Sequence, residues 1–280
     1  MTSPAPPGST HDVAIDARHG AVVKRFRSWN RDEPAREWRA LHLLATGAPG
    51  LAPRPLRASL NPQDGSAPEV TMSWLPGRPL SAAAVTPAQV RALARALDRL
   101  WRSVPPRQLA ATGPGGPNPV RFTGQVRQAL AAGHDLGADV RVRRAAARAS
   151  AWLAGGAVDR AVAAGDRVVL GQGDGCLANF LWDGREIHLV DFEDSGPSDR
   201  AFELAILVEH LSAWLDAGLD APRLLDSFEL TAAERERLLQ FRRLTALFWL
   251  VLLRPGGRAS RRNPPGTLRR QADRLLELLA

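Results

Sequence analysis

The chain has 280 residues, of which 45% are hydrophobic and 24% charged, and its formal net charge is +8 at pH 7. This composition is typical of a globular protein with one large domain or two small ones, and it excludes a disordered chain. A longest apolar run of nine residues, 245–253, and a single cysteine, Cys176, predict no membrane helix, no intramolecular disulfide and no cysteine-rich zinc site.

The first 75 residues contain short apolar runs separated by turn residues, a pattern typical of strands. Two hairpins are predicted, one from residues 13–15 and 22–26 and the other from residues 56–60 and 70–74. Between them, Trp38, Leu41 and Leu44 share one face of a helix predicted over residues 36–44. The order β-β-α-β-β predicts a small lobe over residues 1–75.

Helical patterns dominate residues 76–280, which predicts a larger and mostly helical second lobe. Thr86 followed by Pro87 is a typical helix start, because the threonine caps the helix and proline suits its first position. Residues 105–119 contain five prolines and are predicted to form a loop. Further helices are predicted at residues 120–132, 138–153, 201–217, 231–253 and 267–279.

Residues 167–191 interrupt the helices with short strands and polar loops. Asp174 and Asn179 lie in one such loop, and Asp191 ends the hairpin that follows. Carboxylate and amide oxygens are ligands that Mg²⁺ prefers, and a further carboxylate beside the ion suits proton transfer from a hydroxyl. By spacing alone, a purely structural turn remains the alternative, because Asp and Asn are common in loops.

The segment 171–205, GQGDGCLANFLWDGREIHLVDFEDSGPSDRAFELA, resembles the catalytic segment of the aminoglycoside phosphotransferase family of small-molecule kinases. The family pattern is H-G-D-x-x-x-x-N, a hairpin, D-[FW]-[GE] and then G-x-x-x-x-D-L-A. Asp174, Asn179 and Asp191 match the first two motifs. Asp199 and Glu203 occupy the places of the two acidic residues that follow.

Three upstream segments extend the resemblance in the family's order. VVKRF puts Lys24 where the family has its nucleotide-phosphate lysine, and REWRALHLL puts Glu37 where the pairing glutamate falls. TMSWLPGRPL resembles the hinge between the lobes, where backbone groups near Ser73 and Leu75 would receive the adenine. The match covers about residues 11–280.

The resemblance implies an α+β, two-lobed, protein-kinase-like fold. The implied activity is Mg²⁺-dependent transfer of the γ-phosphoryl group of ATP, or GTP, to a hydroxyl of an antibiotic or hydroxylated metabolite. Lys24, paired with Glu37, would hold the α- and β-phosphates. Asn179 and Asp191 would hold Mg²⁺, and Asp174 would align the acceptor and take its proton.

Two departures from the family pattern favour an alternative, a kinase-fold nucleotide-binding or regulatory protein with little or no turnover. Gln172 replaces the family's catalytic-loop histidine, although an amide can make similar hydrogen bonds. Only about ten residues, with Gly8-Ser9-Thr10, precede Val13, which leaves little chain for a glycine-rich flap over the phosphates.

The basic residues comprise 36 arginines and one lysine, Lys24. Depletion of lysine, together with isoleucine, asparagine and tyrosine, is typical of a GC-rich genome, so a surviving lysine at this position indicates a chemical role. The arginines are scattered, so nucleic acid is not an expected partner. We expect a cytoplasmic monomer or homodimer.

The positive net charge favours a neutral or anionic acceptor over a polycationic aminoglycoside. An acidic acceptor cleft would have to draw on a few candidates, namely Glu193, Asp194, Asp216, Asp220 and Asp226. Cys176 without a neighbouring histidine is expected to be unreactive, and His188 is expected to have a packing role.

Overall fold

A computed structural model describes residues 11–16, 18–27, 30–112, 115–165, 168–216 and 218–280, except for the side chain of Asp216. The Gly8-Ser9-Thr10 segment considered for a flap lies outside the described residues. Within the described ranges, no helix is long and apolar enough to cross a membrane.

The N-terminal part contains an antiparallel sheet of four described strands and one long helix, α1. The strands are β1 (His11–Asp16), β2 (Ala21–Phe26), β3 (Pro55–Ser59) and β4 (Glu69–Ser73), in the order β1-β2-β4-β3. Helix α1 spans Glu33–Gly47. The predicted β-β-α-β-β order is confirmed, and the register places Lys24 opposite Val13 on β1 and Val70 on β4.

Helices and short strand pairs form the remainder of the described chain. The strands are β5 (Arg78–Pro79), β6 (Val168–Gly171), β7 (Phe180–Trp182), β8 (Ile187–Leu189) and β9 (Gly196–Asp199). The helices are α2 (Pro87–Arg102), α3 (Pro106–Ala110), α4 (Pro119–Ala131), α5 (Val140–Ala154), α6 (Ala157–Ala163), α7 (Arg200–Glu209), α8 (Ala221–Asp226), α9 (Ala232–Leu252), α10 (Arg258–Arg262) and α11 (Thr267–Leu278). The cap at Thr86 is confirmed, since its side chain accepts a hydrogen bond from the Gln89 N–H.

Two predictions about the helical part were wrong. Residues 105–119 do not form a continuous loop, because α3 begins at Pro106, where proline's fixed φ suits a first helical turn, and Leu109 is fully buried. The helix predicted over residues 201–217 ends at Glu209, and a π-helical turn follows at Ser212–Asp216. Helix α6, which follows two glycines, was not predicted.

Strand β9 and helix α7 support the loop that carries Asp174. Strand β6 pairs with β9, and Asp199 at the end of β9 caps α7 by accepting hydrogen bonds from the N–H groups of Ala201 and Phe202. One turn later, Glu203 accepts hydrogen bonds from the N–H groups of Gln172 and Gly173, at 3.0 and 3.3 Å. The two acidic residues of the family pattern therefore position the loop that carries Asp174.

Glu209, at the end of α7, joins three helices. It is fully buried, and its carboxylate pairs with Arg242 of α9 at 2.7 Å and with Arg274 of α11 at 2.5 Å. Removing one partner from a buried ion pair leaves uncompensated charge, which costs far more than breaking an exposed pair.

We predict that Glu209→Ala lowers the free energy of unfolding by about 3–5 kcal/mol, because two partly buried guanidinium groups lose their shared carboxylate. The matched control is Asp98→Ala, which breaks an exposed pair with Arg102 on α2 and should cost at most about 1 kcal/mol. Urea unfolding of both variants measures the difference. Equal losses would contradict a special role for Glu209.

Candidate active site

Lys24 is buried because of its place on β2. Alternation along the strand puts Val22, Lys24 and Phe26 on one face, and the Lys24 ammonium lies 4.9 Å from the centre of the Phe26 ring. Only 3% of Lys24 is exposed. An ammonium at such a position needs anionic partners, since burying an unpaired charge is costly.

Three carboxylates surround the Lys24 ammonium. Its Nζ atom lies 2.7 Å from Glu37 Oε2, 2.5 Å from Asp191 Oδ1 and 3.0 Å from Glu193 Oε2. Burial by itself disfavours the charged form, but the charges of Glu37, Asp191 and Glu193 outweigh it and raise the pKa of Lys24 above its ordinary value. The lysine therefore stays positively charged in the free protein.

Glu37 connects α1 to the segment that follows β8. It lies on the buried face of α1 and is fully buried, and its Oε2 atom also accepts a hydrogen bond from the Phe192 N–H at 2.9 Å. Burial raises the pKa of Glu37, an effect that Lys24 opposes. Through Glu37, the predicted lysine–glutamate pair also fixes the backbone next to Asp191.

Asp174 and Asn179 lie in the loop between β6 and β7 and contact each other directly. The Asn179 Nδ2 atom donates to Asp174 Oδ2 at 2.6 Å. Gly173 and Gly175 flank Asp174 with φ angles of +86° and +74°, and a Cβ at Gly175 would lie 2.6 Å from the Ile206 carbonyl oxygen. These two positions require glycine, so the loop can carry Asp174 only in this tightly packed form.

Burial and neighbouring negative charge raise the pKa of Asp174 to about 7. Burial is the largest cause, followed by the charges of Asp191 and Asp194, while the hydrogen bond from Asn179 acts in the opposite direction. A carboxyl group whose pKa lies near neutral pH can both accept and release a proton at that pH.

Asp191 has a backbone conformation that L-residues rarely adopt. Its φ angle is +65°, and Asp32 is the other non-glycine residue with positive φ among those described. Such a conformation costs on the order of 1–3 kcal/mol and persists where the surroundings enforce it. Hydrogen bonds on both sides do so here, from the Val190 N–H to the Asn179 carbonyl and from the Phe192 N–H to Glu37.

Gln172 performs the supporting role expected of an amide at the histidine position. Its Nε2 atom donates to the Val190 carbonyl at 2.9 Å, and its backbone N–H donates to Glu203. The side chain therefore ties the loop of Asp174 to the strand that leads into Asp191.

A cavity of about 270 Å³ lies between the sheet and this loop. The residues predicted to hold nucleotide and metal all line it: Lys24, Glu37, Ser73, Leu75, Asn179 and Asp191. Asp174 is not one of the lining residues, but its side chain contacts Asn179, which is. The other walls are mostly apolar and include Val13, Ile15, Val22, Met72, Leu181 and Val190. The cavity thus has an apolar part beside the hinge and a charged end at Lys24.

Two residues at the charged end were not predicted to contact Lys24 or its partners. Glu193 contacts Lys24, and the His11 Nδ1 atom lies 3.1 Å from Glu193 Oε2. The His11 Nε2 atom lies 3.9 Å from Asp191 Oδ2. The sequence contained a signal for His11, because alternation along β1 places it on the same face as Val13, which lines the cavity.

Several residues singled out in the sequence have structural roles. Burial raises the pKa of the Cys176 thiol to about 11, so it is not an activated nucleophile. His188 lies 2.8 Å from the Gly50 carbonyl and 3.1 Å from Asp183, which confirms a packing role. Asp220 caps α8. Asp216 cannot be placed, because its side chain lies outside the described residues.

Comparison with known proteins identifies relatives of the same architecture. A model of the phosphotransferase enzyme family matches residues 9–241. No curated protein matches the chain significantly in sequence.

Solved structures with a similar fold include a choline/ethanolamine kinase family protein from Mesorhizobium loti, with a TM-score of 0.65 and 16% identity over 96% of this chain and 85% of that one. The GDP complex of aminoglycoside 2'-phosphotransferase-IIIa has a TM-score of 0.67 and 16% identity over 100% and 91%. An aminoglycoside phosphotransferase from Streptomyces rimosus, in complex with ADP and streptomycin, has a TM-score of 0.56 and 18% identity over 85% and 94%. The predicted α+β, two-lobed, kinase-like fold is confirmed.

The raised pKa of Asp174 gives a stability prediction for the free protein. Its folded-state pKa of about 7 exceeds the ordinary 3.8, so the folded state binds more protons between these values and loses stability as the pH rises through them. Asp174→Asn, which stays neutral, should therefore raise the melting temperature at pH 8, and the gain should vanish near pH 4.

A control of opposite sign is Asp183→Asn. Hydrogen bonds from the N–H groups of Glu186 and Arg185 lower the pKa of Asp183 to about 2, so its carboxylate stabilises the folded state above pH 4. This variant should melt at a lower temperature at pH 8. Thermal unfolding at pH 4, 6 and 8, without nucleotide or metal, tests both signs, and a pH-independent gain for Asp174→Asn would contradict the account.

Proposed function

Because the chain belongs to the phosphotransferase enzyme family, we propose that it transfers the γ-phosphoryl group of ATP, or GTP, to a hydroxyl of a small molecule. The observation that supports this most is the contact of Lys24 with Glu37 and Asp191, next to the Asp174–Asn179 pair and a largely apolar cavity. In this proposal, residues 1–75 bind the nucleotide and residues 76–280 carry the catalytic loop and the acceptor site.

The base would lie in the apolar part of the cavity, beside the hinge. The N–H groups of Ser73 and Trp74 already donate to the carbonyls of Arg54 and Gly20. Among the N–H groups of residues 73–75, that of Leu75 therefore remains for the base. Lys24, at the opposite end, would stay paired with Glu37 and exchange its contacts with Asp191 and Glu193 for the α- and β-phosphates.

The oxygen atoms of Asn179 and Asp191 fit Mg²⁺, a hard cation that prefers oxygen ligands. The Asn179 amide nitrogen is engaged by Asp174, which leaves its amide oxygen for a metal. Asp191 already contacts one positive charge, that of Lys24. A magnesium ion held by these two residues would neutralise charge on the phosphates.

Asp174 would act on the acceptor hydroxyl. The hydroxyl oxygen forms a bond to the γ-phosphorus, the bond from that phosphorus to the β-phosphate oxygen breaks, and the hydroxyl proton goes to the Asp174 carboxylate. Neutralising Asp191 would remove the largest charge-based cause of the raised pKa of Asp174. Metal binding at Asp191 would therefore favour the carboxylate form that the reaction needs.

One observation favours the alternative of a nucleotide-binding protein with little turnover. Asp191 and Glu193 both contact Lys24, so they compete with phosphate for its ammonium. If Lys24 kept these two carboxylate contacts after nucleotide had bound, it would be unable to support transfer. Turnover measurements decide between the two.

The direct test is incubation of the protein with ATP or GTP, Mg²⁺ and a metabolite extract or antibiotic panel, followed by mass spectrometry. We expect a compound that gains one phosphoryl group, and no such product without protein. Magnesium-dependent nucleotide binding with no phosphorylated product from any source would contradict phosphotransfer and support the alternative.

Two variants should separate the proposed roles. Asp174→Asn should lower kcat by about 10²–10⁴-fold while the nucleotide Kd changes little, because only proton transfer is lost. Lys24→Arg should weaken nucleotide binding as well as turnover, because a planar guanidinium does not reproduce a compact ammonium in this buried position. Unchanged turnover in either variant would remove that residue from its proposed role.

A further inference from the structure

An arginine-rich pocket of about 550 Å³ lies beside the segment that follows Asp191. The start of α1, Thr112, Gly116 with Pro117, and α4 form it. Four lining residues are arginines, Arg31, Arg36, Arg39 and Arg121, and the one acidic lining residue is Asp32. We call it the arginine pocket.

Backbone carbonyls, not carboxylates, hold two of these arginines. Arg39 Nη1 donates to the Thr112 carbonyl at 3.2 Å, and Arg121 Nη1 donates to the Gly115 carbonyl at 2.6 Å. In the part of the chain that the structure describes, neither guanidinium has an acidic partner. A carbonyl fixes a guanidinium without neutralising it, so both retain positive charge and free donors toward the pocket.

Arg36 connects the pocket to the catalytic segment. It is 5% exposed, and its Nε atom donates to the Glu193 carbonyl at 2.7 Å. Its Nη2 atom lies 3.4 Å from Asp194 Oδ1, and Arg31 Nη1 lies 3.6 Å from the same atom. Arg31 also pairs with Glu33 at 3.0 Å, so carboxylates neutralise Arg31 and Arg36 beside the pocket.

Asp194 packs against both the pocket and the loop that carries Asp174. A Cβ on Gly116, which lines the pocket, would lie 2.0 Å from the Asp194 carbonyl oxygen. A Cβ on Gly173, which precedes Asp174, would lie 2.3 Å from that same oxygen. The pocket and the loop that carries Asp174 thus pack against the same backbone carbonyl.

We propose that the arginine pocket binds an anionic group of the acceptor, a carboxylate or a phosphate, so that the acceptor is a negatively charged alcohol. This inference rests on the proposed phosphotransfer. Guanidinium groups match both anions in shape and charge through paired N–H donors. The site would discriminate against polycationic acceptors, because Arg39 and Arg121, which have no acidic partner among the described residues, repel them.

The test compares three alcohols that differ only in one group: glycerol, glycerate and glycerol phosphate. We expect a lower KM for one or both charged alcohols. Arg39→Gln with Arg121→Gln should raise that KM at least tenfold, since a charged hydrogen bond contributes about 1.5–3 kcal/mol. The KM for nucleotide and the kinetics with glycerol should stay unchanged. Arg95→Gln, an exposed arginine on α2, is the matched control and should change none of these values.

Anion binding is measured separately by the ¹⁵Nε signals of the arginines during titration with inorganic phosphate or with acetate. Shifts that the double variant abolishes support the pocket, and their preference for one anion identifies phosphate or carboxylate. Equal KM values for the charged alcohols in wild type and double variant would overturn the pocket's role while leaving phosphotransfer intact. Anion shifts without transfer to any acceptor would instead contradict the proposed function and the acceptor assignment with it.

Discussion

The site depends on one buried ammonium. Lys24 is almost inaccessible to water, and its three carboxylate partners come from α1 and from the segment after β8. Because an unpaired charge cannot be buried cheaply, these contacts bring the sheet, α1 and the catalytic segment together. Glu37 extends the linkage by accepting a second hydrogen bond from the Phe192 N–H.

The same contacts leave the site with more negative than positive charge. Glu37, Asp191 and Glu193 share one lysine, and Asp174 and Asp194 lie close by. The raised pKa of Asp174 is one consequence. The Asp174 carboxylate therefore destabilises the free protein, and a cation at Asp191 would reduce this cost. The arginine pocket places positive charge on the other side of Asp194, where it would meet the acceptor.

The sequence predicted those parts of the site that short motifs specify. Lys24, Glu37, Asp174, Asn179 and Asp191 come together as their motifs implied, because each lies at a fixed place on a strand, helix or tight loop. The contacts of Glu193 with Lys24 and His11 depend on how β1 and β2 face the segment after β8, which the alternation along a strand does not encode. The arginine pocket joins residues about 80 positions apart, and α3 forms where Leu109 packs into the core. Such features arise from tertiary packing, which can override local propensity.

Since the chain has one lysine, its side-chain NMR signal reports on Lys24 alone. In protein labelled at lysine, the account predicts that this signal stays that of an ammonium well above pH 10.5 in the free state. It also predicts a shift when Mg²⁺ and ATP are added, as the ammonium exchanges Asp191 and Glu193 for phosphate. A lysine that titrates at or below its ordinary pKa, and whose signal is unchanged by Mg²⁺ and ATP, would contradict the account.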